Sequence, residues 1–321
     1  MTTGPTIGLA LGGGIARGWA HIGVLRRLQE LGLVPDMICG TSMGALVGGF
    51  YLAGQMDALT DLVRTLTRFR MVRLLDFMVP DNGVIGGKRM FRELEKIVGD
   101  LQIEDLPTRF SAVASELHTG HEIWLTEGHL LDAIRASVSI PGIFKPIKVN
   151  GRWLIDGALV NPVPVSVCRA MGARVVIAVN LTGDTMGGIA DTDQRKPDAD
   201  TGQAPYTGEE RRTSTPERLG PAMRQLLAVE QEEPNFLGTM AASFTILLDR
   251  ITRSRLAGDP PDVSIVPRMG HIGLLDFHRA EDAIEEGAKA VDRIVPELME
   301  VIGMLARREN PGSAPIQAEA S

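Results

Sequence analysis

Short apolar runs alternate along this chain with longer stretches whose apolar residues recur at helical spacing. Thr6–Leu11 is an apolar run ending in glycines, the pattern of a buried strand. Trp19, Ile22, Leu25, Leu28 and Leu31 set one apolar stripe along Arg17–Leu31, and Gly32 supplies a helix stop. Asp36–Cys39 predicts a second strand, and Ala45–Ala53 a helix halted at Gly54. Met56–Thr67 and Lys88–Val98 predict further helices, the latter ended by Gly99. Phe110–Ala114 and Glu122–Thr126 predict strands joined through the His118–Gly120 turn, and Leu130–Val138 a helix. Asn150-Gly151 within Lys148–Asp156 is a strong type I′ hairpin signal. Arg174–Asn180 predicts another core strand, Val263–Val266 a late one and His278–Arg307 a long helix. Strands alternating with helices predict an α/β fold: a mainly parallel central sheet flanked by helices.

The pattern breaks over Gly183–Pro221, which is rich in Asp, Thr, Gly, Pro, Gln and Arg and nearly devoid of large apolar residues. Such a segment buries too little surface to offset its ordering entropy, so a disordered insertion is expected there. Helical periodicity resumes over Ala222–Ala257. The expected organisation is one domain over residues 5–308, with the insertion at 183–221 and a flexible tail at 309–321. Met37–Met56 carries no charge and is long enough to span a bilayer, but its five glycines and its Thr41-Ser42 pair suit a buried strand–turn–helix better. Met1–Thr6 has no charged lead into an apolar core, so no signal peptide is read. A cytoplasmic protein is expected, with any membrane contact peripheral.

Composition narrows the partners. The chain of 321 residues has a net charge of −7 and few aromatics, at 4%. Nucleic-acid binding needs a cationic footprint and stacking platforms, so it is not expected. Cys39 and Cys168 sit in apolar surroundings as buried free thiols, with no CxxC pair or Cys/His cluster, so neither a disulfide nor a metal site is indicated.

Two glycine-rich turns carry candidate chemistry. Gly40-Thr41-Ser42-Met43-Gly44 is a GxSxG sequence between an apolar strand and a helix. A nucleophile elbow needs that context: it exposes the serine hydroxyl on a tight turn at the positive end of a helix. Read blandly, the same residues are a Gly/Ser helix start. Gly12-Gly13-Gly14-Ile15-Ala16-Arg17-Gly18 also follows a strand and precedes a helix, where backbone amides favour an anion. A dinucleotide fingerprint is not met, since Ile15 and Arg17 fall where glycines are required. The oxyanion of a tetrahedral acyl intermediate is the better guest, although glycines can also serve only close helix–strand packing. Asp156-Gly157-Ala158 follows the hairpin and precedes Asn161-Pro162-Val163-Pro164. By itself it reads as a turn. A carboxylate can nonetheless act as the base if it touches the serine inside a dry site that raises its proton affinity.

These blocks, in this order, resemble the patatin-like phospholipase family, and its bacterial branch in particular. The likeness rests on Leu11–Gly18 with Trp19–Leu25, on Gly40–Gly44, on Ala136–Phe144 with Pro141 inside it, and on Asp156-Gly157-Ala158 leading to Asn161–Pro164. Leu274–Ala280 is similar to bacterial members and to the catalytic domain of neuropathy target esterase. The resemblance implies a Ser42–Asp156 dyad, an oxyanion loop from Gly12 to Gly18 with Gly12, Gly13, Gly14, Ile15 and Arg17 as its members, and an elbow framed by Gly40 and Gly44. Ile15 departs from the fourth glycine of many bacterial relatives. The resemblance further implies that no histidine takes part, although His271 and His278 follow Asp156 in Ser–Asp–His order and His21 lies near the glycine loop. It implies no metal and no cofactor. The implied activity is hydrolysis of lipid carboxyl esters through an acyl-Ser42 intermediate; the alternative is a regulatory or lipid-binding domain with incidental hydrolysis. Arg68–Val79 mixes Arg68, Arg70 and Arg73 with large apolar residues and is a candidate for peripheral membrane contact or for ordinary packing.

Overall fold

A computed structural model describes residues 6–66, 87–184 and 236–309. The apolar runs become β1 (Ile7–Leu11), β2 (Met37–Thr41), β3 (Arg109–Glu116), β4 (Glu122–Leu125), β5 (Ile147–Val149), β6 (Arg152–Asp156), β7 (Val175–Val179) and β8 (Val263–Ile265). They form one sheet in the order β5-β6-β3-β2-β1-β7-β8, with β4 pairing β3 off that path. β3, β2, β1, β7 and β8 run parallel. β4 and β6 pair antiparallel with β3, and β5 with β6. The central strands are buried on both faces, so Leu9 and Leu11 enter one apolar cluster and Ala10 the other.

The helices among the described residues are α1 (Ala20–Glu30), α2 (Met43–Leu52), α3 (Met56–Arg64), α4 (Lys88–Val98), α5 (Leu130–Ser137), α6 (Val165–Ala170), α7 (Phe236–Gly258) and α8 (Ala280–Glu309). α1 packs on α8 with unusually little between the backbones. A Cβ on Gly23 would lie 1.8 Å from the Ile284 carbonyl oxygen, and one on Gly287 2.0 Å from that of Ala20. None of the described helices is long and apolar enough to cross a membrane. Met37–Met56, the uncharged stretch, resolves into β2, a turn and α2.

Three departures from the pattern have local causes. The first predicted helix is broken: Ile15–Trp19 is a 3-10 turn, and the α-helix begins only at Ala20. Ile15 stands at φ 49°, a left-handed conformation that cannot continue into a regular helix. α6 is absent from the sequence reading because Pro162 and Pro164 mask its start and it is only 6 residues long. The late helix opens with a 3-10 turn, Phe277–Arg279, before α8. Arg68–Val79, nearly all of Gly183–Pro221, the first part of Ala222–Ala257 and the terminal tail lie outside the described residues.

Candidate active site

Ser42 and Asp156 meet because two strands end head to head on one edge of β3. Val113 pairs with Thr41 of β2, and the next residue, Ala114, pairs with Asp156 of β6. β4 takes the other edge at both positions, through Trp124 and Ile123. β2 and β6 therefore share an edge while running in opposite directions, and their last residues face one another.

Ser42 follows β2 at φ 54° and ψ −122°. A non-glycine residue held there costs on the order of 1–3 kcal/mol, so its surroundings must enforce the turn. The flanking glycines permit it: a Cβ on Gly40 would lie 2.4 Å from the Ala45 amide nitrogen, and one on Gly44 2.1 Å from the Leu11 carbonyl oxygen. The Ser42 N–H donates to Ser137 Oγ at 2.8 Å, and the Ser137 hydroxyl donates to the Val113 carbonyl at 2.5 Å. A serine of α5 thus pins the turn to β3.

The Ser42 hydroxyl donates to Asp156 Oδ2 at 2.7 Å, and the Ala158 N–H donates to Oδ1 at 2.8 Å. Backbone bonds hold Asp156 in place: its N–H donates to the Ser139 carbonyl at 3.0 Å, and the Ser115 hydroxyl donates to its carbonyl at 2.8 Å. Gly157 lets the chain turn over β3, since a Cβ there would lie 2.1 Å from the Val113 carbonyl oxygen. Asp156 is 0% exposed and Ser42 2%. Burial raises the Asp156 carboxyl to about 7, against the opposing pull of the Ala158 amide and the Ser42 hydroxyl. A carboxyl with that affinity can take a proton and return it near neutral pH, which an ordinary carboxylate does poorly.

The glycine loop lies against this pair: a Cβ on Gly13 would be 3.4 Å from the Cβ atoms of both Ser42 and Ala158. Most of its amides are already engaged. Gly12 donates to Val179 at 3.0 Å, Gly13 to Pro162 at 2.9 Å, Ala16 to Leu274 at 3.1 Å and Arg17 to Gly14 at 3.1 Å. Among the described residues the amides of Gly14 and Ile15 have no such partner, so they are the loop donors left for an anion. Arg17 Nε donates to the Ile272 carbonyl at 2.8 Å, which ties the loop to the chain before α8. Burial lowers its guanidinium pKa, with Asp184 and Asp276 opposing.

His21 Nε2 lies 2.7 Å from the Gly12 carbonyl oxygen, so that nitrogen carries the proton. Burial drives its pKa down to about 4, and the ring is neutral at ordinary pH. It holds the loop rather than the serine. His278 lies 3.9 Å from Asp276, and His271 offers its carbonyl to Arg279. Pro141 is exposed on the loop after α5, away from the dyad's hydrogen bonds. Ser115, Ser137 and Ser139 support the pair and His21 the loop beside it, and sequence reasoning missed each role. Only the repeated serines of Ala136-Ser137-Val138-Ser139 hinted at it.

Beside Ser42 runs a cleft walled by apolar side chains, among them Trp19, Leu46, Leu59, Val63, Leu94 and Phe277. Its space for a water-sized sphere is about 60 Å³, several times the roughly 10–15 Å³ that one water needs. Trp19 and Phe277 meet edge to face with centroids 6.3 Å apart. Such a slot desolvates a hydrocarbon chain and offers almost nothing to a polar one.

Glycine loop, elbow and buried aspartate on one mainly parallel sheet define a class. The sequence profile of the patatin-like phospholipases matches residues 9–169, which contain Ser42 and Asp156, and the chain belongs to that family. It is 40% identical over 192 residues to an uncharacterized NTE family protein of Mycobacterium tuberculosis, covering 60% of this chain and 53% of that protein. It is 37% identical over 201 residues to lysophospholipase NTE1 of Yarrowia lipolytica, covering 60% of this chain and 13% of that protein. With patatin-like phospholipase domain-containing protein 7 of Mus musculus it shares 35% identity over 188 residues, 56% of this chain and 14% of that one. The chain spans about half the length of the mycobacterial relative and a small part of the other two.

Proposed function

We propose that this protein is a serine acyl hydrolase that cleaves carboxyl esters of lipids through an acyl-Ser42 intermediate. The observation that carries the reading is the 2.7 Å hydrogen bond from Ser42 to a buried, proton-avid Asp156 at a strained elbow beside an apolar cleft. An acyl chain lying in the cleft brings its ester carbonyl to Ser42. Asp156 takes the serine proton as Oγ attacks, and the negative charge develops on the carbonyl oxygen. The amides of Gly14 and Ile15, with those of Met43 and Gly44 at the start of α2, none of which has a backbone partner among the described residues, are the donors for that oxyanion, each worth about 3–4 kcal/mol at the transition state. Asp156 then protonates the leaving alcohol and afterwards activates the water that releases the acid.

The names of two relatives, lysophospholipase and patatin-like phospholipase, support a phospholipid or lysophospholipid substrate. A fluorophosphonate probe is expected to label the wild-type protein and not Ser42→Ala. Failure to label the wild type would favour the regulatory or lipid-binding reading, because such probes modify only an activated serine.

A further inference from the structure

The β5–β6 hairpin projects past the edge at which Ser42 opens. β6 descends from its tip to Asp156, so the tip stands four residues, or about 13 Å, beyond the dyad at the usual strand rise. Asn150 and Gly151 both take positive φ, at 49° and 82°, and form its two-residue turn. The segment entering the hairpin belongs to the cleft: Ile140 and Phe144 line it, and Phe144 stacks edge to face on Phe91 at 5.9 Å. Pro141 and Gly142, between those two, are exposed.

The hairpin's charge runs against the rest of the molecule. In a chain of net charge −7, no Asp or Glu occurs between Ser139 and Ile155, whereas Lys145, Lys148 and Arg152 do. All three are exposed. Several cations elsewhere are paired with carboxylates, as in Arg169–Asp262, Arg255–Glu122 and Arg293–Glu286. Among the described residues no ion pair involves Lys145, Lys148 or Arg152. Lys148 instead stands over the ring of Trp153, 6.0 Å from its centroid, and Trp153 is 42% exposed. An indole half in water, flanked by unpaired cations, suits a layer that is apolar beneath and anionic at its surface. Glu116, the nearest described carboxylate on the neighbouring strand, is occupied by the Thr119 hydroxyl.

We propose that the hairpin Lys145–Trp153 is the surface by which this protein docks on an anionic phospholipid bilayer, placing the mouth of the cleft against the lipid. That the cleft then draws an acyl chain from the bilayer rests on the hydrolase reading; the docking itself does not.

The test is flotation of the full-length protein with phosphatidylcholine vesicles, with and without phosphatidylserine. The wild type is expected to float with the anionic vesicles and much less with the neutral ones. Lys145→Gln/Lys148→Gln/Arg152→Gln is expected to weaken anionic binding by on the order of 100-fold at low salt, from roughly 5-fold per cation. That loss should shrink at high salt. Hydrolysis of a soluble short-chain ester by the triple variant should stay at the wild-type rate. An Arg250→Gln/Arg268→Gln control, at exposed cations elsewhere, should bind as the wild type does. Equal loss in the control would reduce the effect to net charge and overturn the proposal. So would undiminished binding by the hairpin variant, in particular if Arg68→Gln/Arg70→Gln/Arg73→Gln abolished it. Normal docking by an inactive wild type would leave the hairpin standing and remove the hydrolase reading instead.

Discussion

At Asp156 the decisive quantity is proton affinity. Its carboxyl is raised to about 7 because burial penalises the charged form more than Ser42 and the Ala158 amide stabilise it. If Asp156 is the base, only its deprotonated form is active, so kcat/KM should climb with pH and reach half its maximum near 7. A histidine base is not needed for that midpoint: His21, with its pKa near 4, would give one far lower. The Ser42→Ala, Asp156→Asn and wild-type profiles on a soluble ester would decide it, and a wild-type rate flat from about pH 5 to 8 would count against the dyad. At this scale the sequence was only partly legible. Ser42 could be picked out because an elbow has a local glycine signature. The pairing with Asp156 was expected from resemblance, not from spacing, because 114 residues separate the two. The supporting hydroxyls of Ser115 and Ser137 and the neutral ring of His21 have no local signature. Each role consists of hydrogen bonds to backbone atoms elsewhere in the fold.

Among the elements, the elbow and the dock of α7 both constrain the site. A methyl group on Gly44 would meet the Leu11 carbonyl at 2.1 Å, and neither backbone can retreat. Gly44→Ala should therefore cost on the order of 3 kcal/mol, read as a lowered denaturant midpoint, the high end for overpacking. Arg255 ties α7 to the chain just beyond Asp156: its Nε donates to the Val160 carbonyl at 2.9 Å and Nη2 to Glu122 at 3.1 Å. Glu122 also accepts from Asn161 and Trp124. Arg255→Ala should cost about 2 kcal/mol by stranding these acceptors. Arg255→Lys should recover little, because one ammonium cannot serve both in the same fork; full recovery in thermal melts would show that only charge matters there. Strands and helices were legible here wherever apolar periodicity was strong. The break at Ile15 was not, since a left-handed isoleucine is imposed by the loop's contacts and not by its own preference.

Over the whole molecule, two buried groups bias stability in opposite directions. His21 falls from its ordinary 6.5 to about 4 on folding, so the unfolded chain binds more protons in that window and stability is lost as pH falls through it. Asp156 rises from 3.8 to about 7, so the folded chain binds more protons there and stability is lost as pH rises through it. In the wild type these two slopes partly cancel. Asp156→Asn removes one of them: its melting temperature should exceed the wild type's at about pH 8, and the gap should close as pH drops toward 4. A constant gap across that range would mean the carboxyl is not raised by burial. What the sequence alone determined is what short stretches determine: period-driven strands and helices, a glycine-framed serine at a strand–helix turn, a type I′ hairpin and an acidic net charge. These depend on nearest neighbours along the chain. The tertiary structure alone decided which ends meet. Because β2 and β6 compete for one edge of β3 and stop one residue apart, Ser42 and Asp156 are pressed together in a dry site. The same antiparallel pairing carries the hairpin tip beyond the Ser42–Asp156 pair. Hydrogen-bond register between distant strands sets both, and no local pattern of residues encodes it.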